Sequence, residues 1–120
     1  MIPTRSPDLA STCTPASLLD EALVIVQAAG ALIRAEFHRQ GGPRSLGPGK
    51  APIDAEVEAF LREHLLALHP CDWHGEELPR RSHGTADRWV VDPQDGTSAF
   101  LRRLRGPAIS VALLRAGRPV

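Results

Sequence analysis

The residues best suited to chemistry form the run Asp92–Thr97, with the sequence DPQDGT. Two carboxylates three residues apart are followed at once by a glycine and a hydroxyl. Carboxylate oxygens suit Mg²⁺, which commonly takes one or two carboxylates and leaves its other positions to water and substrate phosphate. Gly96 allows the backbone to approach an anion closely, and the free amides of a helix that begins near Thr97 favour negative charge. The run therefore predicts a compact site for a hard cation and a phosphate.

With Trp89 before it and Phe100 after it, this run resembles the metal-binding signature of the inositol monophosphatase-like phosphatases. These are Mg²⁺-dependent, often lithium-sensitive enzymes. The departure is Gln94, because the family usually has an aliphatic residue there. In the family this position supplies a backbone carbonyl to a metal, so the changed side chain need not remove a ligand. The resemblance covers roughly Leu18 to Val120.

Two further segments occur in the family's order. The stretch His74–Glu77 resembles its Gly-Glu-Glu element, whose first glutamate ligates metal, and that residue is Glu76 here. The stretch Asp54–Glu58 resembles the start of its second helix, although the preceding residues differ from the usual Asp-x-Val-Thr. The resemblance implies that Asp54 and Thr97 orient the attacking water and accept its proton.

The resemblance also implies two magnesium ions and metal-assisted hydrolysis of a phosphomonoester. One Mg²⁺ would be held by Glu76, Asp92 and the Gln94 carbonyl and would carry the attacking water. A second would be held by Asp92 and Asp95 and would stabilise the leaving oxygen, as paired metals ~3.5–4 Å apart do. The Asp95-Gly96 pair has a simpler alternative as an ordinary turn, and Asp54 has one as a helix cap.

The implied ligand is a small phosphorylated metabolite, with its phosphate oxygens held by the amides of Gly96 and Thr97. Family substrates include inositol phosphates, sugar phosphates, histidinol phosphate and phosphoadenosine nucleotides. The signature is common to all of them, so it does not select one. Because family members are often dimers, the resemblance leaves a homodimer open.

Family members are about twice as long as this chain, and a later Trp-Asp segment supplies the remaining aspartate of the second metal site. The chain therefore resembles their N-terminal half. Three hypotheses stay open. In the first, the chain is part of a working phosphatase. In the second, it is a decayed or repurposed protein that binds Mg²⁺ or a partner without turnover. In the third, it is a structural subunit that another chain completes.

Composition excludes several other classes of protein. The 14 basic residues balance the 14 acidic ones, so no net field favours nucleic acid or an anionic membrane. Cys13 and Cys71 are too few for a disulfide scaffold and fit reduced thiols in a cytoplasmic protein. Residues 1–14 lack the apolar stretch of a signal peptide, and Leu23–Ile33 is too short to span a bilayer. His69, Cys71 and His74 match no closed zinc site.

The chain divides into a flexible lead, residues 1–14, and one part-domain, residues 15–120. Thr14 is a candidate cap for a first helix that has Pro15 at its first position and runs to about Arg39. Apolar residues recur at helical spacing through it: Leu18, Ala22, Ile25, Val26, Ala29, Leu32, Ile33 and Phe37. The next segment, Gly41–Pro52, holds four glycines and three prolines and is predicted to be a mobile loop.

A second helix is predicted to begin near Asp54 and to end before Pro70, with a buried stripe along one face. The stripe residues are Val57, Phe60, Leu61, Leu65 and Leu68. A strand at 88–92 delivers Asp92 to a sheet edge, where Pro93 ends the ladder. A short helix from Thr97 to about Arg103, a strand at 108–114, a turn at 116–117 and a further strand from 118 complete the order. The fold class is α+β, a layered α/β sandwich of the inositol monophosphatase/fructose-1,6-bisphosphatase type. The expected portion is two long helices and the start of an antiparallel sheet.

Overall fold

The computed structural model describes residues 15–102 and 108–120. Two helices are followed by a sheet with one short helix between its strands. The elements are α1 (Pro15–Phe37), α2 (Pro52–Leu68), β1 (Asp72–Gly75), β2 (Asp87–Asp95), α3 (Thr97–Leu101), β3 (Ala108–Arg115) and β4 (Arg118–Pro119). The predicted lead and Thr14 lie outside the described residues, as do Arg103 and the residues up to 107. None of the described helices is long and apolar enough to cross a membrane.

Helix α1 turns one apolar face towards the core, as its spacing predicts. The buried apolar positions are Leu18, Ala22 and Ala29. Leu32, predicted for the same face, is instead 40% exposed. The helix ends at Phe37, two residues before the predicted end, and Gly41 and Gly42 follow with φ of 84° and 91°. Glycine adopts this left-handed conformation at little cost, so the two residues redirect the chain.

Helix α2 begins at Pro52, two residues before its predicted start, with Ala51 as the N-cap. Proline suits the first turn because it has no amide hydrogen to leave unbonded. Asp54 therefore lies inside the first turn and is not the cap, so the simpler alternative for this residue is wrong. The core of the stripe is fully buried, at Val57, Leu61 and Leu65, while Phe60 and Leu68 are partly buried.

The four strands form one sheet in the order β1-β2-β3-β4. Strands β2 and β3 are antiparallel, and β3 and β4 join through the predicted turn at 116–117. Strand β1 was missed by the sequence analysis and lies parallel to β2, with Trp73 beside Trp89. The sheet is therefore mixed rather than antiparallel throughout. In β1 only Trp73 is buried, which leaves too short a pattern to indicate a strand.

Strand β2 continues to Asp95, three residues beyond its predicted end at Asp92. The ladder itself is interrupted between these two residues, because Asp92 pairs with Ser110 and the next pair is Asp95 with Ala108. Proline has no amide hydrogen to donate, so the pairing skips it while the backbone stays extended. The result is an irregularity of the β-bulge kind, which commonly re-aims side chains at a sheet end.

The core lies between the two long helices and the sheet, and α2 contacts both α1 and β2. Its largest fully buried side chains include Trp73, Phe100 and Leu61. The Phe100 ring of α3 lies 5.7 Å from the Phe37 ring at the end of α1. The short helix after the acidic run is thus attached to the same core as the long helices.

The segment between α1 and α2, predicted to be a mobile loop, is anchored through Arg44. The Arg44 guanidinium lies 3.0 Å from Glu36 in α1 and 2.9 Å from Glu56 in α2. Glu36 is buried, and its hydrogen bonds with Arg44 hold its pKa below the ordinary value. This arginine therefore connects the two helices across the loop.

Candidate active site

The carboxylate of Asp54, in α2, contacts residues of the acidic run Asp92–Thr97 at the end of β2. Gln94 Nε2 donates to Asp54 Oδ1 at 2.7 Å. The Thr97 hydroxyl lies 2.9 Å from Asp54 Oδ2 and is placed to donate to it. Asp54 and Thr97 were paired on the resemblance, and the structure brings them together across 43 residues of sequence. The side-chain bond from Gln94 was not predicted.

Asp54 is only 4% exposed, and its surroundings shift its proton affinity. Burial raises the pKa of Asp54, because the charged form loses contact with water. The hydrogen bonds from Thr97 and Gln94 act in the opposite direction, while the negative charge of Asp92 raises the pKa further. Burial is the largest effect, so the pKa lies above its ordinary value. Such a carboxylate is suited to accept a proton.

The Thr97 hydroxyl has two acceptors within reach, Asp54 Oδ2 at 2.9 Å and the Gln94 carbonyl at 3.0 Å. A threonine hydroxyl carries one hydrogen and two acceptor lone pairs. It can therefore donate fully to one of these partners at a time and still accept a hydrogen bond from a third group. A water molecule that donates to Thr97 would lie next to the Asp54 carboxylate.

Gly96 turns the chain from β2 into α3 with φ of 89°, a conformation that other residues rarely adopt. Just before this turn, the backbone N–H of Gln94 donates to Asp92 Oδ1 at 3.1 Å. The Asp92 carboxylate is thereby held against the backbone of the run. The Asp95 side chain is exposed at the end of the strand.

Glu76 directly follows β1 and lies in the loop that precedes β2. Because β1 and β2 are parallel, their carboxyl ends reach the same edge of the sheet. There Glu76 and Asp92 line the same cleft. Partial desolvation raises the pKa of Glu76, and the charges of Asp92 and Glu77 raise it further.

A buried glutamate that the sequence analysis did not single out supports the Glu76 loop. Glu58 Oε1 accepts the Glu77 amide at 2.7 Å, and Oε2 accepts the Leu78 amide at 3.0 Å. The Trp73 indole also donates to Oε2, at 3.2 Å. Three donors thus satisfy a carboxylate with no exposed surface. Its position four residues after Asp54 puts both carboxylates on one helix face, which was the available signal.

Glu76 and Asp92 together suit a divalent cation. The negative charge of Asp92 raises the pKa of Glu76, and a cation between the two carboxylates would relieve that repulsion. Their oxygen donors are those that Mg²⁺ takes. Within residues 15–102 and 108–120, however, no three His, Cys, Asp or Glu side chains are grouped closely enough to form a complete metal site. Ligation by Asp95 and by the Gln94 carbonyl stays a prediction.

His69 and Cys71, which were weighed as zinc ligands, lie in environments that do not suit zinc. His69 Nε2 lies 2.7 Å from Asp87 Oδ2. Cys71 is buried, and burial raises the pKa of its thiol to about 11. A thiol in that state is a poor ligand, because metals bind the thiolate.

A family model described as the inositol monophosphatase family matches residues 15–120. The chain belongs to the inositol monophosphatase family. The match confirms the resemblance drawn from the acidic run and the Gly-Glu-Glu element. It covers every element that carries the candidate site.

The sequence is similar to those of known phosphatases over part of their length. The chain is 42% identical over 69 residues to an inositol-1-monophosphatase of Rhizobium meliloti, covering 56% of this chain and 26% of that protein. It is 33% identical over 102 residues to a histidinol-phosphatase of Mycobacterium tuberculosis, covering 82% of this chain and 39% of that protein. The chain thus spans less than half the length of these relatives.

A solved structure, the extragenic suppressor protein suhB from Bartonella henselae, has a similar fold. The TM-score is 0.72 at 21% identity, over 87% of this chain and 41% of that one. The sequence predicted an α+β fold of the inositol monophosphatase type, and this prediction is confirmed.

Proposed function

We propose that this chain carries the water-activating and metal-binding part of a phosphomonoesterase that uses Mg²⁺ and acts on a small phosphorylated metabolite. The observation that carries the proposal is the contact of Asp54 with Thr97 and Gln94, beside the carboxylate pair of Glu76 and Asp92. Because the chain spans less than half of its relatives, the proposal concerns its contribution to hydrolysis in the whole protein.

Each residue has a stated part in this reaction. Thr97 accepts a hydrogen bond from the attacking water and donates its own hydrogen to Asp54. Asp54 receives the proton that the water loses, which is a general-base role. Glu76 and Asp92 would hold Mg²⁺, which supplies Lewis-acid polarisation of the phosphate and lowers the pKa of bound water. The amides of Gly96 and Thr97 are proposed to bind phosphate oxygens.

The proposed substrate is a phosphate ester of a small polar molecule. Support comes from the names of the relatives, which include an inositol-1-monophosphatase and a histidinol-phosphatase. A reaction with two metals, a cytoplasmic location and a homodimer are parts of the same proposal.

The test is phosphate release from a panel of phosphate esters by the whole protein that contains this chain. We expect release that requires Mg²⁺ and falls roughly 100-fold or more in Thr97→Val and in Asp92→Asn. The matched control is Asp20→Asn, an exposed aspartate on α1, which should retain the original rate. Release that persists after chelation would contradict the proposal.

A second candidate is binding of Mg²⁺ without turnover. It is favoured by the carboxylates of Glu76 and Asp92, which line one cleft in a chain that spans less than half of its relatives. Calorimetry of Mg²⁺ binding distinguishes the two. Binding that weakens in Asp92→Asn, with no phosphate released from any ester, would support this candidate.

A further inference from the structure

We infer that Gln94 acts through its side-chain amide as a positioning residue for Asp54, an inference that rests on the proposed function. The amide holds one carboxylate oxygen while Thr97 holds the other. The proton acceptor is thereby fixed in one orientation. This role belongs to the side chain and is separate from the backbone carbonyl assigned to a metal on the resemblance.

The first argument is that two bonds hold the carboxylate from two positions along the chain. The Asp54 carboxylate is placed by χ1 and turned by the terminal torsion χ2, which has a broad preference. A single hydrogen bond to Thr97 would leave both torsions less restricted. The second bond, 2.7 Å from Gln94 Nε2 to Oδ1, restricts them further.

The second argument concerns the lone pairs that remain. Each carboxylate oxygen offers about two acceptor positions. Gln94 occupies one on Oδ1, and Thr97 occupies one on Oδ2. Positions for an incoming proton therefore remain while the orientation is held.

The third argument is that packing alone does not account for an amide here. Gln94 is 3% exposed, and its Oε1 is buried without a hydrogen-bond partner among the described residues. A buried acceptor without a partner destabilises a fold, whereas an aliphatic side chain of similar size would carry no such cost. What the amide adds, and an aliphatic residue lacks, is the donor that faces Asp54.

The primary test follows the Asp54 side chain by NMR, through the three-bond couplings that report its χ1 rotamer. In the unaltered chain we expect one rotamer and a Gln94 side-chain amide that exchanges slowly with solvent. In Gln94→Leu and Gln94→Met, which remove the donor, the Asp54 rotamer should become averaged. The control Gln40→Leu changes an exposed glutamine and should leave the rotamer unchanged.

A reciprocal pair sharpens the test. Gln94→Glu alone places a second carboxylate against Asp54 and should displace it. Combined with Asp54→Asn it restores a donor–acceptor pair with the direction reversed, so the single rotamer should return. Phosphate release should not return, because the double variant has no carboxylate at position 54.

Kinetics supply the functional arm. Gln94→Leu should lower kcat roughly tenfold with KM unchanged, since misplacement of a catalytic group slows the chemical step. A single Asp54 rotamer in both Gln94→Leu and Gln94→Met would overturn the inference, as would an effect on KM alone. If the whole protein releases no phosphate from any ester, the proposed function fails, and the NMR result still decides whether Gln94 orients Asp54.

Discussion

Gly75 illustrates how space around one atom constrains the site. A Cβ at this position would overlap the carboxylate of Glu58. Its φ is not among the positive values found for other glycines, so the requirement is room and not backbone freedom. Glu58 cannot easily move away, because Trp73, Glu77 and Leu78 all donate to it. The glycine beside Glu76 thus allows the loop to lie directly against the buried carboxylate.

Gly75→Ala is expected to lower the free energy of unfolding by about 2 kcal/mol, since overpacking at a buried site forces neighbouring groups to shift. It should also weaken Mg²⁺ binding, because Glu76 moves with the loop. Urea denaturation and calorimetry measure the two effects.

The control for this substitution is Gly30→Ala in α1, where a new Cβ would lie 3.7 Å from the Arg34 side chain. That variant should be as stable or slightly more stable, by about 0.5–1 kcal/mol, because alanine favours a helix. Equal stability of Gly75→Ala and the unaltered chain would contradict the close contact.

At the residue scale, the sequence was sufficient to identify the reacting side chains of the site but not the side chains that hold them in place. Asp54 and Thr97 were paired through the resemblance, and the structure joins them. The amide of Gln94 and the carboxylate of Glu58 were missed, because their partners lie 40 and 15–20 residues away. Such contacts depend on how helix and sheet pack, which local spacing does not indicate.

At the scale of elements, the long helices and the hairpin β3–β4 were predictable from periodicity and turn residues. Strand β1 was not, because its four residues include a single buried side chain. Its pairing partner, β2, supplies the hydrogen bonds that make it a strand. The strand that precedes Glu76 therefore forms because of its pairing with β2, and its own sequence does not indicate it.

Asp87 connects three elements and gives a prediction for pH. At the start of β2 it bonds to Arg115 at the end of β3 and to His69 after α2. The hydrogen bonds from Arg115, aided by His69, lower the pKa of Asp87 from 3.8 to about 2. A carboxylate whose folded pKa is depressed stabilises the fold above its unfolded pKa and loses this contribution as pH falls towards the folded value.

We therefore expect the unaltered chain to be more stable than Asp87→Asn at neutral pH. The difference should shrink as pH falls from about 4 to about 2. Denaturation curves of both proteins across this range measure it, with Asp20→Asn as the exposed control. A difference that stays constant through the acid range would contradict the ion pair's contribution.

At the scale of the molecule, an apolar groove lies between α1 and the sheet. It has a volume of about 390 Å³ and is lined by residues that include Leu19, Leu23, Trp89 and Ile109. Leu19 and Leu23 are 67% and 51% exposed. Exposed apolar surface of this kind binds apolar ligands readily.

Leu23→Glu is expected to reduce binding of the fluorescent dye ANS severalfold, because it puts a charge into the groove. Leu46→Glu is the matched control, since Leu46 is equally apolar and 70% exposed but does not line the groove. A titration of dye fluorescence measures both. Equal loss of fluorescence in the two variants would place the dye elsewhere.

The two hydrogen bonds to Asp54 have a consequence for folding. They close across 40 and 43 residues, whereas the β2–β3 ladder is far more local. Contacts between distant residues carry a large loop-closure cost and form only when the elements dock. A local opening that separates α2 from β2 would therefore dismantle the proton acceptor while the ladder persists. Competence for proton transfer and docking of α2 are one cooperative event, and a peptide limited to the acidic run would possess neither.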